Sequence, residues 1–192
     1  MKIINGKKDI FTIPNILSAF RIVLAGLLLW IFYNPAVKEK RYFLTFILLI
    51  SALTDFLDGK IARKFHMVSE LGKVLDPIAD KITQGVLIIC LLSEYAALKP
   101  VFLLFIIKES YMAVAGLKVI SETNQNEGAM WYGKVNTAVF YTVMLLLIFL
   151  PNLSKKTANL LIAASGACML FSFIMYGRKY ACLMKNKKKE SV

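Results

Sequence analysis

Four aspartates in two neighbouring segments carry the clearest chemical signal in this 192-residue sequence. Residues 55–63 read DFLDGKIAR, and residues 72–80 read GKVLDPIAD. On a helix, positions 55, 58, 59 and 62 share one stripe, because they are spaced by three or four residues; positions 72, 76 and 80 do nearly the same. Glycine or alanine keeps each acidic stripe uncrowded, so a bulky ligand can approach. Two such helices facing each other would form a cage of four carboxylates.

The apolar sequence around these acids is too short to cross a bilayer by itself. Residues 42–54 and 82–93 carry no charge, but a spanning helix needs about 20 residues. We therefore predict that the acids lie within membrane helices, where each ionised side chain costs about 2.5–3.5 kcal/mol at mid-membrane. Hard divalent cations, which prefer oxygen ligands, would supply the counter-charge. The alternative is a set of solvated loop acids, and the helical spacing argues against it.

Together the two segments resemble the signature of the CDP-alcohol phosphotransferase family. That pattern is Asp-x2-Asp-Gly-x2-Ala-Arg, then eight intervening residues, then Gly-x3-Asp-x3-Asp. It is matched at Asp55, Asp58, Gly59, Ala62, Arg63, Gly72, Asp76 and Asp80. Residues 12–15 with Arg21, residues 79–81 and residues 133–137 resemble the branch that makes phosphatidylglycerol phosphate or cardiolipin. The resemblance therefore extends over most of the chain.

The resemblance implies transfer of a phosphatidyl group from CDP-diacylglycerol to an alcohol, with release of CMP. It implies two Mg²⁺ or Mn²⁺ ions, and the implied metal ligands are Asp55, Asp58, Asp76 and Asp80. The residues implied to bind the CDP group are Asp55, Asp58, Gly59, Ala62, Arg63, Gly72 and Asp76. Asp80 is the implied general base, which takes the proton of the acceptor hydroxyl. No Ser, Cys or His is placed to act as a nucleophile, so we expect no covalent intermediate.

The sequence is compatible with two acceptor alcohols, glycerol 3-phosphate and phosphatidylglycerol. The branch that uses glycerol 3-phosphate typically carries Arg-Glu in the fourth span and Gly-Lys-x-Lys-Thr at the fifth. Here the fourth span has Lys108-Glu109 and residues 133–137 read GKVNT, so Asn136 replaces a basic residue. Asn136 and residues 176–179 look more like the cardiolipin-forming members, whose acceptor is phosphatidylglycerol. We predict glycerol 3-phosphate, with phosphatidylglycerol as the alternative; the predicted acceptor-binding residues are Lys108, Lys134, Arg21 and Lys118.

Charged residues inside a membrane span are functional candidates by default. Lys108 is therefore predicted to face the active cavity. Its neighbour Glu109 points about 100° away around a helix, so we expect no ion pair between the two.

The composition indicates an integral membrane protein, since 58% of the residues are apolar. The net charge of +12 suggests nucleic-acid binding at first sight, but the basic residues lie between and beyond the apolar runs, as membrane anchors do, and we expect no nucleic-acid partner. The three cysteines are odd in number and widely separated, which excludes a disulfide framework or a zinc motif.

The apolar runs predict an all-α integral membrane protein with six transmembrane helices after a short N-terminal interfacial segment. The predicted spans are 15–33, 42–64, 72–93, 100–120, 131–150 and 157–176. We divide the chain into the interfacial segment 1–14, a membrane domain 15–180 and a basic cytoplasmic tail 181–192. Sixteen lysines and arginines fall on the side of both termini and six on the other. By the positive-inside rule, both termini and the active-site cavity face the cytoplasm.

Family resemblance also implies a homodimer. We place its interface on spans four to six, because they offer small residues for close helix contact. We place the protein in the plasma membrane of a bacterium, among membrane lipids. A divalent-cation transporter is a distant alternative, but it would need polar residues across the bilayer, and the fifth and sixth spans have no acid. A purely structural membrane subunit would not keep such acids.

Overall fold

The computed structural model describes residues 12–64, 69, 71–123, 130–150 and 152–190. Within these ranges, the description leaves out the side chains of residues 55, 56, 58, 59, 61–64, 73, 120–123 and 186–190. The described part is helical and contains no strand; its helices are α1 (Ile13–Tyr33), α2 (Lys40–Lys64), α3 (Gly72–Leu92), α4 (Leu98–Thr123), α5 (Trp131–Phe149) and α6 (Lys155–Glu190). The predicted interfacial segment lies outside the described residues except at its last three positions.

The chain divides into two compact units, Met1–Leu91 and Leu92–Val192. In the first unit, α1 packs against α2. Local signals bound α1: the hydroxyl oxygen of Thr12 accepts the N–H of Asn15 at 3.4 Å, and the proline in the first turn loses no hydrogen bond there. At the other end, the ammonium of Lys40 donates to the carbonyl of Phe32 at 2.7 Å. This bond places a positive charge at the negative end of the helix dipole.

Three contacts, spread along the length of α1, connect it to α3 and to Ser69 just before α3. Ser69 bonds to Asn15 near the start of both helices, Arg21 pairs with Asp76, and the Tyr33 hydroxyl donates to the Ile89 carbonyl at 3.4 Å. These contacts pair successively later residues of α1 with successively later residues of α3, so the two helices run parallel. The first unit therefore holds the second acidic segment against α1.

In the second unit, α6 packs against both α4 and α5. A Cβ atom on Gly166 would lie 3.2 Å from Val101, and the rings of Tyr111 and Phe173 meet edge-on with centroids 5.4 Å apart. Here too, the later residue of α4 contacts the later residue of α6, so these two helices run parallel.

Four of the described helices are long and apolar enough to cross a membrane, and they are α1, α4, α5 and α6. Large apolar side chains lie exposed on them, such as Val114 at 71% and Leu160 at 69%, as expected of surfaces that meet lipid. The helices α2 and α3 carry the acidic segments and their lysines, which makes them less apolar. The prediction of several membrane helices is confirmed, and crossing by α2 and α3 stays a prediction.

The sixth helix extends beyond the predicted sixth span, which ends near residue 176. Helix α6 continues to Glu190. The apolar run does end near residue 176, but residues 177–190 contain no proline, and alanine, leucine, methionine and lysine all favour helix. The predicted basic tail is therefore largely a continuation of α6.

Tyr176 on α6 explains a glycine at the start of α5. Met130, the N-cap residue of α5, makes no side-chain cap bond, and its N–H donates instead to the Tyr176 hydroxyl at 3.2 Å. The same hydroxyl occupies the place where a Cβ on Gly133 would lie, with ring carbons 3.1 and 3.2 Å away. Because only glycine leaves this space, Tyr176 can approach the backbone and accept the N–H of Met130, one of the amides that a helix start leaves unpaired.

We expect Gly133→Ala to destabilise the protein by about 1–3 kcal/mol, because the added methyl group must displace a packed ring. Thermal unfolding in detergent measures the effect. Gly26→Ala is the matched control, since nothing lies within 4 Å of its Cβ position and alanine favours helix. An equal melting temperature for the two variants would contradict the account of Gly133.

Candidate active site

Asp76 and Asp80 lie one turn apart on the same face of α3, as the sequence predicts. Their side chains are 51% and 28% exposed. Partial exposure keeps both carboxylates accessible to a ligand. Helix α3 begins at Gly72, as predicted, which places Asp76 in its second turn.

The carboxylate of Asp76 receives a hydrogen bond from α1. The Arg21 guanidinium donates from Nη2 to Asp76 Oδ1, and its side chain is only 3% exposed. A buried cation needs a partner of opposite charge, and Asp76 meets that need. The sequence places Arg21 in the acceptor pocket; the structure places it on a predicted metal ligand, and its contact with an acceptor stays a prediction.

A small polar cluster fixes the start of α3 on α1. The Ser69 hydroxyl donates to Asn15 Oδ1 at 3.0 Å and accepts the backbone N–H of Gly72 at 2.9 Å. A Cβ on Gly72 would lie 2.6 Å from Asn15 Oδ1 and 3.0 Å from Ser69 Oγ, so glycine is required for this approach. The sequence interpretation missed Ser69, although a serine three residues before a helical glycine is a typical N-terminal capping signal.

Asp80 is oriented by the next turn of its own helix. The side-chain amide of Gln84 donates to Asp80 Oδ2 at 2.9 Å, and Lys81 Nζ lies 3.5 Å from the same oxygen. Gln84 is 1% exposed. The sequence interpretation missed Gln84 too, and its signal was a polar residue one turn after Asp80 in an otherwise apolar run.

The remaining acids belong to α2. Asp55 and Asp58 lie in this helix, but their side chains are outside the described part, as are those of Ala62 and Arg63 and the surroundings of Gly59. Among the described residues, no group of three or more His, Cys, Asp or Glu side chains is placed to hold a metal ion. Two of the predicted ligands are not in that set, so the four-carboxylate cage stays a prediction. Asp76 and Asp80 fit a hard divalent cation, because both present carboxylate oxygens at a partly exposed surface.

All three predicted acceptor-binding lysines belong to the second unit. Lys108 is buried, whereas Lys118 and Lys134 are exposed. Lys108 Nζ pairs with Glu109 Oε1 at 2.5 Å, so the expectation that these neighbours would not pair is wrong. The helical angle separates the first side-chain atoms, but the four-carbon stem of lysine is long enough to reach across it. Burial favours the pair, because an isolated charge would be costly there.

Asn136 is also buried in the second unit. Its side-chain oxygen has no hydrogen-bond partner in the described part of the chain. In the Gly-Lys-x-Lys-Thr motif of the glycerol 3-phosphate branch, the second lysine would therefore occupy a buried position on α5.

In the described part of the chain, several membrane-length helices and two partly exposed carboxylates on one helix face indicate an all-α membrane protein with a candidate acidic site. The chain belongs to the CDP-alcohol phosphatidyltransferase family, whose model matches residues 11–177. Enzymes of this family generally depend on a divalent metal.

Three bacterial relatives of the chain share one description. The chain is 25% identical over 176 residues to the CDP-diacylglycerol–glycerol-3-phosphate 3-phosphatidyltransferase of Escherichia coli K12, a match that covers 86% of this chain and 93% of that protein. It is 42% identical over 83 residues to the Rickettsia felis protein of the same description, covering 43% of this chain and 45% of the relative. The match to the Rickettsia typhi protein is 41% over 83 residues, with 46% of that relative covered. The chain thus spans less than half of the Rickettsia proteins in these matches.

Proposed function

We propose that the protein transfers the phosphatidyl group of CDP-diacylglycerol to glycerol 3-phosphate, giving phosphatidylglycerol phosphate and CMP in phospholipid biosynthesis. Membership of the family over residues 11–177 carries the proposal. The relative in Escherichia coli, matched over 93% of its length, supports this acceptor. The placement of Asp76 and Asp80 on one accessible face of α3 agrees with the chemistry.

The metal site of this proposal consists of Asp55, Asp58, Asp76 and Asp80, which would hold two Mg²⁺ or Mn²⁺ ions. Bound metal would neutralise the pyrophosphate of CDP-diacylglycerol and polarise the phosphorus under attack. The CDP group would lie along the rest of the motif, where Arg63 suits the phosphates and Gly59 and Ala62 leave room for the cytidine.

Asp80 is the general base in this mechanism. The acceptor hydroxyl gives its proton to the Asp80 carboxylate while its oxygen forms a bond to the phosphorus, and the bond from that phosphorus to the CMP oxygen breaks. Gln84 supports this role, because its hydrogen bond to Oδ2 holds the carboxylate in one orientation.

Lysines of the second unit are proposed to bind the acceptor phosphate. Lys134 is the strongest candidate, because it is exposed at the first turn of α5, where the helix dipole also favours an anion. Lys118 is exposed as well. The charge of Lys108 is largely balanced by Glu109 in this structure, so we expect it to assist rather than to dominate.

A multi-pass membrane protein agrees with the apolar helices and with the bacterial relatives. We extend this to a bacterial plasma membrane, six spans, both termini in the cytoplasm, and a homodimer. The excess of lysine and arginine on the side of the termini supports the orientation.

Release of CMP from CDP-diacylglycerol by the purified protein tests the proposal. With Mg²⁺ and glycerol 3-phosphate, we expect CMP and phosphatidylglycerol phosphate in equal amounts. If the protein ignores glycerol 3-phosphate and converts phosphatidylglycerol to cardiolipin, the acceptor assignment fails. Metal flux into vesicles without any CMP release would instead indicate a cation transporter.

A further inference from the structure

We infer that Arg21 is a positioning residue for Asp76, which it holds through one carboxylate oxygen so that the other is presented to a divalent cation. The inference rests on the proposed function in one respect, since it takes Asp76 as a metal ligand. It differs from the sequence-based prediction, in which Arg21 binds the phosphate of the acceptor.

The burial of the two partners supports this role. Arg21 is 3% exposed at its side chain, whereas Asp76 is 51% exposed. The guanidinium is thus fixed in the packing of α1, and the carboxylate that it holds faces outward. A buried arginine that already donates to a carboxylate is poorly placed to leave it for a soluble phosphate.

The alignment of α1 and α3 gives the pair its geometry. The contact of Asn15 with Ser69 and Gly72 fixes the start of α3 beside α1. From that level, Arg21 lies six residues along α1, or about 9 Å, and Asp76 lies four residues along α3, or about 6 Å. The extended arginine side chain covers the difference, so the pair follows from the way in which α1 and α3 start together.

The choice of oxygen matters for the metal. Arg21 donates to Oδ1 of Asp76, and no other hydrogen bond or ion pair to this carboxylate is present among the described residues. A carboxylate on an exposed helix face would otherwise rotate among several rotamers. With Oδ1 held, Oδ2 keeps one direction, in which it would be available to a divalent cation. Partners that orient a metal ligand in this way typically contribute about ten- to a hundredfold to affinity or activity.

Titration with Mn²⁺ tests the inference on the full-length protein in detergent, with free Mn²⁺ followed by electron paramagnetic resonance and no substrate present. We expect Arg21→Gln to raise the Kd for Mn²⁺ by about tenfold or more. Arg21→Lys is expected to recover part of the affinity, because an ammonium still donates to Oδ1. It also keeps the charge beside Asp76 should the glutamine variant fail to fold.

Coupling to Asp76 separates positioning from a general loss of structure. In an Asp76→Asn background, Arg21→Gln should change the Kd for Mn²⁺ by less than about twofold, since the two residues act as one unit. Lys134→Ala is the matched control, and it should leave the Kd for Mn²⁺ unchanged while it raises the KM for glycerol 3-phosphate.

An unchanged Kd for Mn²⁺ in both Arg21 variants would overturn the inference, and a raised KM for glycerol 3-phosphate would then assign Arg21 to the acceptor. Equal effects of Arg21→Gln with and without Asp76 would overturn it as well. The proposed function is judged separately by CMP release from the wild-type protein. A protein that binds Mn²⁺ through Asp76 but releases no CMP would contradict that function and not the role of Arg21.

Discussion

Asp80→Asn is expected to lower kcat by about a hundred- to ten-thousandfold, the range that general-base catalysis typically contributes. Asparagine has nearly the size of aspartate and still offers an oxygen to the amide of Gln84, which donates to Asp80 Oδ2 at 2.9 Å. The variant therefore keeps the local hydrogen bond and loses the basic carboxylate. CMP release at saturating substrates measures kcat, and equilibrium binding of CDP-diacylglycerol should remain largely intact.

Asp58→Asn is the comparison for Asp80→Asn. In the proposed mechanism Asp58 would serve as a metal ligand and not as the base, so this variant should also raise the Kd for Mn²⁺. A near wild-type kcat in Asp80→Asn would show that another group removes the acceptor proton. If instead Asp80→Asn weakened the binding of metal and CDP-diacylglycerol as strongly as Asp58→Asn, Asp80 would be a ligand only.

Local sequence signals were sufficient for most helix boundaries. The end of α1 was predictable from Asn34 and the proline that follows it, and the start of α3 from Gly72. The helical spacing of Asp76 and Asp80 was predictable for the same reason, because it depends only on the period of the helix. The end of α6 was not predictable from the sequence, because the apolar run ends without any residue that stops a helix.

Contacts between helices were not predictable from one sequence. The pairing of Arg21 with Asp76 joins residues that are 55 positions apart, and it depends on how α1 and α3 align. The pairing of Lys108 with Glu109 was predicted wrongly for another reason. Helical angles describe where a side chain leaves the backbone, and a long lysine in a buried place moves its charge to the nearest available carboxylate.

Lys134→Ala is expected to raise the KM for glycerol 3-phosphate by about tenfold, with a much smaller change in the KM for CDP-diacylglycerol. A charge-assisted hydrogen bond contributes about 1.5–3 kcal/mol, and 1.4 kcal/mol corresponds to a factor of ten. Lys134 is exposed in this structure, so solvent and salt screen its charge, and we expect the lower end of that range. Steady-state kinetics with each substrate varied in turn give the two KM values.

Lys99→Ala is the matched control for Lys134→Ala, because it removes the same charge from an exposed lysine near the start of α4. It should leave both KM values unchanged. The effect of Lys134→Ala should shrink as ionic strength rises, since an exposed charge is screened over about 8 Å at physiological salt.

The response of Lys134→Ala also distinguishes the two acceptors. Glycerol 3-phosphate carries a phosphate monoester with nearly two charges, whereas phosphatidylglycerol carries a diester with one and is further held by its acyl chains. A site for phosphatidylglycerol would therefore depend less on this lysine. Asn136 is buried, so an added lysine there would have to be buried without a prepared partner. If glycerol 3-phosphate is the acceptor, the exposed Lys134 must supply much of the recognition that a second basic residue would otherwise share, and its removal should then affect glycerol 3-phosphate far more than any lipid substrate.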